Sequence, residues 1–333
     1  MITDWLSRMI VTVFPNPPER QMNRMQALVK DGPIVGIRSI SMPSVAETEV
    51  LVKVMVAGLC RTDVYAADGK IKTADPLVLG HEVSGVVAAV GSAVKRLEPG
   101  DRVAINPLLP CGECGFCSCH AHGHCQKSKF LGIDRHGSFA GYVAIPEQAL
   151  YLIPSNVSFV EAAYAEPVAA SLAVLKTGID RNQKGIIYGK NRFAELTHRV
   201  LTAKGFNRVE IYDPRSRERI ASNRYDYAIE TVHTVEAMQT IVNAIHPGGK
   251  IILKGRQHEP ISIELSDLIR KEPTLHAVNY GSFQEALQMI GERHIVLGDM
   301  IESVYPLTKF QQVFEQARNQ GLQKPFFDLA AVS

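Results

Sequence analysis

Nowhere in the 333 residues is there a run of uncharged apolar residues approaching the roughly 18 that a membrane span needs, because Glu161 and Glu166 interrupt the most apolar stretch. Nor is there a surplus of one charge. Lys and Arg number 36 against 34 Asp and Glu, with no long basic run, so neither nucleic acid nor an anionic membrane has an electrostatic case as a partner. Disorder is excluded by composition, since 46% of the residues are hydrophobic and can offset chain entropy by burial. A basic start and a small-residue cleavage pattern are also missing, and Pro15, Pro17 and Pro18 follow the first apolar residues, so a signal peptide is not expected. Residues 1–24 read as an extension, frayed or packed on a partner, and the patterned chain begins at Met25. At about 100–200 residues per domain, the length suffices for two cores.

Cysteine is sparse except in one place. Five of the six, Cys111, Cys114, Cys117, Cys119 and Cys125, fall within fifteen residues. A disulfide framework would spread its partners through a small secreted chain, and this chain is neither small nor visibly secreted. Gaps of two residues let successive thiolates wrap one ion, and tetrahedral zinc with four sulfurs is the usual outcome. Spacing alone leaves the choice of four open, because Cys119, His120, His122 and His124 are candidates too. An iron–sulfur site or redox cysteines are the alternative. Clustered thiols without a signal peptide point to a reducing cytoplasm.

A second constellation uses different chemistry. Cys60 closes the β-like run from Val52 to Leu59 and precedes Arg61-Thr62-Asp63; His81 follows 21 positions later, in Gly80-His81-Glu82. A soft thiolate, an imidazole and carboxylates are the ligands of an open zinc site, with one position left for water or substrate. A lone His beside a Glu is more often structural, but here Cys60 accompanies it.

With these residues the chain resembles the zinc-dependent alcohol dehydrogenases of the medium-chain dehydrogenase/reductase superfamily. Gly80-His81-Glu82 with Gly85, Gly91 and Val94 matches that family's zinc signature without a gap. Cys111, Cys114, Cys117 and Cys125 reproduce its structural-zinc spacing of 3, 3 and 8, leaving Cys119 as an extra. Gly100-Asp101-Arg102-Val103 and Gly137-Ser138-Phe139-Ala140-Gly141-Tyr142 are further landmarks. The likeness runs from about Met25 to the C-terminus, close in the first half and looser in the second.

The resemblance implies two zinc ions per chain, one held by those four cysteines and one by Cys60 and His81 with Glu82 and Glu166. Glu82 is a ligand or exchanges with water. Glu166 stands where polyol-type members carry Glu and alcohol-dehydrogenase types carry Cys, which points to the sorbitol- and threonine-dehydrogenase side. Asp63 is implied to hold the far nitrogen of His81, Thr62 to relay the substrate proton, and Arg61 to reach the cofactor pyrophosphate. Tyr65 stands where many members place a relay His. The implied activity is hydride transfer between a secondary alcohol of a polyol, sugar or amino alcohol and NAD(H). An open zinc site lowers the alcohol pKa toward neutrality, Thr62 gives the proton a route out, and the second domain supplies the hydride acceptor. The implied fold is α/β: a GroES-like β-rich catalytic domain over 25–177, completed by about 299–333, and a truncated doubly wound Rossmann domain over 178–298. Family members pair through Rossmann sheet edges into dimers or tetramers, and Thr274 to Val278 is the expected edge.

Residues 184–255 alternate in the βαβ manner. Gly185–Tyr188, Arg208–Asp213, Tyr225–Glu230 and Lys250–Gly255 read as strands, with helices from Phe193 to Lys204 and from Val235 to Ile245. The phosphate-binding turn departs from G-x-G-x-x-G/A, reading Gly189-Lys190-Asn191-Arg192-Phe193-Ala194. Asn191 replaces the glycine that lets backbone approach the pyrophosphate; it can adopt the left-handed conformation but brings a side chain into that space. Lys190 and Arg192 either compensate by charge or face solvent. Asp213, 24 positions after Gly189, is placed for a ribose hydroxyl and favours NAD, with Arg215 and Arg217 nearby softening that preference. From Asp213 to Asp226 is only 13 positions, too few for the helix, edge strand and second helix that family members carry there. In the order 3-2-1-4-5-6 the missing strand is outermost, so the sheet closes without it, at the cost of part of the adenosine wall. The altered turn and the deletion support a second reading, a repurposed zinc enzyme performing elimination, addition or cyclisation without nicotinamide. A purely structural or regulatory protein would be expected to lose catalytic ligands, and none is lost.

Overall fold

The computed structural model describes residues 24–119, 121–216, 218–256, 260–318 and 323–332. The readings made for residues 1–23, His120 and Arg217 lie outside the described residues. No described helix is long and apolar enough to cross a membrane.

The first half folds around a valine-rich strand. In Glu49–Gly58 alternate side chains Val50, Val52, Val54 and Val56 are buried, the period-two pattern of β-branched residues on a pleated strand. That strand pairs antiparallel with Glu82–Val90 on one side and with Lys324–Asp328 on the other. Arg102–Ile105 and Leu150–Leu152 extend the sheet beyond Glu82–Val90, Ile301–Pro306 extends it beyond Lys324–Asp328, and Tyr142–Pro146 also pairs with Glu49–Gly58. The C-terminal strands Ile301–Pro306 and Lys324–Asp328 thus return to the sheet of the first half.

The second half is a five-stranded parallel sheet in the order Val209–Tyr212, Gly185–Tyr188, Tyr225–Glu230, Ile245–Leu253, Thr274–Ala277. Among the described residues Val209–Tyr212 forms one edge of this sheet. Thr274–Ala277 is the opposite edge. The sheet is covered on both faces, because Ile186 and Tyr188 pack with Ala237, Met238 and Ile241 of the helix Val235–Ala244. Ile187 packs on the other face with Ala194 and Leu201 of the helix Arg192–Ala203. One expected boundary is corrected. The strand placed at Lys250–Gly255 begins at Ile245 and ends at Leu253; Tyr225 pairs with Ile245 and Tyr227 with Lys250, and the surplus residues bulge around Gly248 at φ +74.

The two sheets share one core element. Every residue of the helix Ala165–Leu172 is buried, and it packs with Val56 and Phe326 of the first sheet and with Leu196 and Val200 of the helix Arg192–Ala203. Glu166, on this helix, is fixed at the junction.

Candidate active site and metal centres

The four cysteines of the spacing motif converge. Their Sγ–Sγ separations are 3.5 Å for Cys114–Cys117 and Cys111–Cys125, 3.8 Å for Cys114–Cys125 and 3.9 Å for Cys111–Cys117. Sulfurs bound at about 2.3 Å to one tetrahedral zinc stand about 3.8 Å apart, so the cluster has the size of a single-ion site. The N–H groups of Glu113 and Cys114 hold the Cys111 thiol down at about 6, favouring the thiolate a metal needs. Cys119 is excluded from the set: it is exposed and its Sγ lies 3.2 Å from the Gly115 carbonyl oxygen.

A second group forms where two distant segments meet. The ligand atoms of Cys60, His81 and Glu82 all lie within 4.8 Å of one another. Asp63, wholly buried, arranges them. Its Oδ2 accepts from the Cys60 N–H at 2.9 Å, and its Oδ1 accepts from the Gly80 N–H at 3.2 Å and contacts His81 Nδ1 at 3.0 Å. With Nδ1 so occupied, His81 presents Nε2 toward Cys60, buried and with no nitrogen or oxygen partner among the described residues. A buried nitrogen left unpaired is costly unless something else meets it, and a thiolate, an imidazole and a carboxylate converging there fit zinc. Gly80 is required for the approach: its φ is +100, and a Cβ would lie 2.7 Å from the Phe139 ring.

Glu82 has a partner that sequence reasoning missed. Lys324, 2% exposed, donates to both of its carboxylate oxygens from the strand Lys324–Asp328. Burial pushes the Glu82 carboxyl up, but the Lys324 ammonium outweighs it and holds the group below the usual range. The only sequence signal was a lysine placed directly before Pro325-Phe326-Phe327. Glu166 is also buried and faces the same cleft, but it is not part of the close group; its Oε1 accepts from Tyr280 Oη. Burial, then the charge of Glu82, raises its carboxyl above the ordinary range.

One cleft between the sheets is lined by Cys60, Arg61, Thr62, Glu166, Asn191 and Arg192. Thr62 Oγ1 lies 3.7 Å from Cys60 Sγ, and Tyr65 also lines the cleft. At the far wall the altered turn is satisfied from within. Asn191 is not left-handed, as its sequence position allowed, but extended at φ −135. There its Oδ1 accepts from the Ala194 N–H at 3.0 Å, capping the helix, while Nδ2 donates to Thr231 O and Oγ1 at 3.2 and 3.0 Å. Lys190 faces solvent, whereas Arg192 crosses the cleft to donate to the Gln323 carbonyl at 2.7 Å. Gly189 and Asp213 do not line the cleft. Asp213 is held by Arg215 at 3.0 and 3.1 Å, and that guanidinium keeps its carboxyl below the usual range. Sequence reasoning also missed Lys254 and Arg256, two cations in the cleft wall that leave the carboxyl end of a parallel strand, where ligands of such sheets bind.

Residues 46–155 match the alcohol dehydrogenase GroES-like domain. The chain is 26% identical over 309 residues to D-xylulose reductase A of Aspergillus oryzae, covering 81% of this chain and 86% of that protein. It is 27% identical over 312 residues to D-arabitol-phosphate dehydrogenase of Enterococcus avium, covering 83% and 89%. A solved structure from Sinorhizobium meliloti, described as a zinc-binding dehydrogenase bound to NADP, superposes with a TM-score of 0.83 at 25% identity, over 92% of this chain and 99% of that one.

Proposed function

On the premise that the chain is a zinc-type medium-chain dehydrogenase/reductase and an oxidoreductase, we propose that it transfers a hydride between a secondary alcohol of a polyol, sugar or amino alcohol and NAD(H). The observation that carries this reading is His81 Nε2, buried without a nitrogen or oxygen partner beside Cys60 and Glu82 at the cleft that the parallel sheet also walls. Cys60, His81 and Glu82 would hold a zinc ion, which when bound supplies Lewis acidity toward the alcohol oxygen. Asp63 keeps the His81 ring oriented. The Thr62 hydroxyl accepts the substrate proton and passes it to solvent at the cleft mouth. Lys324 balances the buried charge of Glu82, and Glu166, hydrogen-bonded to Tyr280, orients a substrate hydroxyl. On the cofactor side Arg61 and Arg192 face the pyrophosphate, and Asp213, once free of Arg215, faces the adenosine ribose. We read 25–177 with 299–333 as the catalytic unit and 178–298 as the cofactor unit, a dimer or tetramer through the Thr274–Ala277 edge, in a reducing cytoplasm.

Titration of the zinc-loaded protein with NADH and NADPH, followed by nicotinamide fluorescence and binding heat, tests the reading. Saturable binding of NADH below about 1 mM, roughly −4 kcal/mol, is the expected result. No binding of either cofactor at millimolar concentration, with zinc confirmed at both sites, would overturn hydride transfer and leave elimination, addition or cyclisation as the chemistry of the metal residues.

A further inference from the structure

The cleft holds more positive charge than hydride transfer uses. Five basic side chains line it, Arg61, Arg192, Lys254 (whose pKa burial lowers to about 7), Arg256 and Lys324, against the carboxylates Glu82, Glu166 and Glu302. Lys324 is committed to Glu82. Arg61 and Arg192 are the first residues of the helices Arg61–Ala67 and Arg192–Ala203, and together they match the two negative charges of a dinucleotide pyrophosphate. Lys254 and Arg256 are left over, and among the described residues neither forms an ion pair.

The two side chains are built as a unit. Lys254, 6% exposed, donates from Nζ to the Val278 and Asn279 carbonyls at 3.0 and 2.8 Å and lies 5.3 Å from the centre of the Phe193 ring. Arg256 is accessible in the cleft and donates from Nη2 to Asn279 Oδ1 at 2.7 Å. Its guanidinium lies 5.4 Å from the centre of the Tyr280 ring, whose hydroxyl donates to Glu166. Asn279 thus braces both cations, through its carbonyl and its side chain, beside the group that meets the reacting end of the substrate. A planar guanidinium fixed on an aromatic face, with no carboxylate in ion-pair contact among the described residues, is the arrangement that takes phosphate or carboxylate through paired hydrogen bonds. Arg256 and Glu166 lie close enough for their charges to attract, while Tyr280 donates to the Glu166 oxygen.

Resting on the hydride-transfer reading of the same cleft, we propose that Arg256, braced by Asn279 and seconded by Lys254, binds an anionic group of the substrate, so that the preferred substrate is a polyol carrying a phosphate or a carboxylate and not a neutral polyol. Calorimetric titration of the zinc-loaded protein with a pentitol, its monophosphate and the corresponding aldonate, each with and without NADH, tests this. One of the anionic probes should bind at least about ten-fold more tightly than the neutral pentitol, and which one does identifies the anion. The advantage should vanish in Arg256→Gln and be reduced without vanishing in Arg256→Lys, which keeps the charge and loses the planar fork. Inorganic phosphate should displace the anionic probe from the unaltered protein, a check that needs no variant. Equal affinity for all three probes, no binding of either anion, or an advantage that persists in Arg256→Gln overturns the proposal. NADH affinity of the same preparation reports separately on hydride transfer, so the anion preference stands or falls independently of it.

Discussion

Where Cys60, His81 and Glu82 meet, the converging side chains are steadied by groups outside the set; across the cleft, the turn at Asn191 steadies itself. Asp63 grips the backbone of Cys60 and the far nitrogen of His81, and the outcome is a ring nitrogen pointing inward with no nitrogen or oxygen partner among the described residues. Asn191 does the reverse, spending its carbonyl on its own helix and its amide on Thr231, while Arg215 closes over Asp213. The first arrangement leaves polar capacity for a visitor. The second leaves little, so a dinucleotide has to compete with contacts the protein already makes. Glu82 is the intermediate case, a candidate ligand whose charge Lys324 already balances.

The contrast can be broken or sharpened by four substitutions, the largest effect first. Cys117→Ser should reduce bound zinc from two ions per chain to one by elemental analysis and unfold the surrounding lobe, since structural zinc contributes on the order of 10 kcal/mol to small folded units. Retention of both ions would show that the four sulfurs do not act together. Lys324→Met should destabilise the metal-free protein by about 3–5 kcal/mol in denaturant titration, because Glu82 is left buried without a countercharge. A loss below about 1 kcal/mol would mean that water reaches the pair. Asp63→Asn should weaken zinc at the Cys60–His81 centre by about 10–100-fold in competition with a chelator while leaving the cysteine centre unchanged. Equal weakening at both centres would point to a general loss of structure. Asn191→Gly should tighten NADH by up to about ten-fold at a stability change of only a few tenths of a kcal/mol, since glycine is an adequate helix cap. Unchanged or weaker NADH binding would show that the asparagine cap is not what the cofactor competes with.

How far these features could be read in advance depended on how local they are. The cysteine spacing and the Cys60–His81 pairing are read from short intervals along the chain, and among the described residues the four sulfurs lie together, as do Cys60, His81 and Glu82. Lys324 and Glu82 are 242 positions apart and meet only because the C-terminal strand returns beside Glu49–Gly58. No interval encodes that. Asn191 was recognisable as a replaced glycine, but whether its side chain would open or close the helix end depended on the position of Thr231, 40 residues on. Lys254 and Arg256 looked like the ordinary end of a strand, and only the Asn279 brace and the cleft around them give the pair a role.

Among the described residues the parallel sheet ends at Val209–Tyr212, and bare borders invite other chains to add to them. Val209–Tyr212 is only four residues long, and its central Glu210 is exposed, paired with Lys184 and Arg224 at 3.2 Å each and accepting from Tyr225 Oη at 2.8 Å. A short border lined with fixed charges of both signs is a poor template for sheet growth. The charges of Glu210, Lys184 and Arg224 therefore guard this border against pairing with another chain.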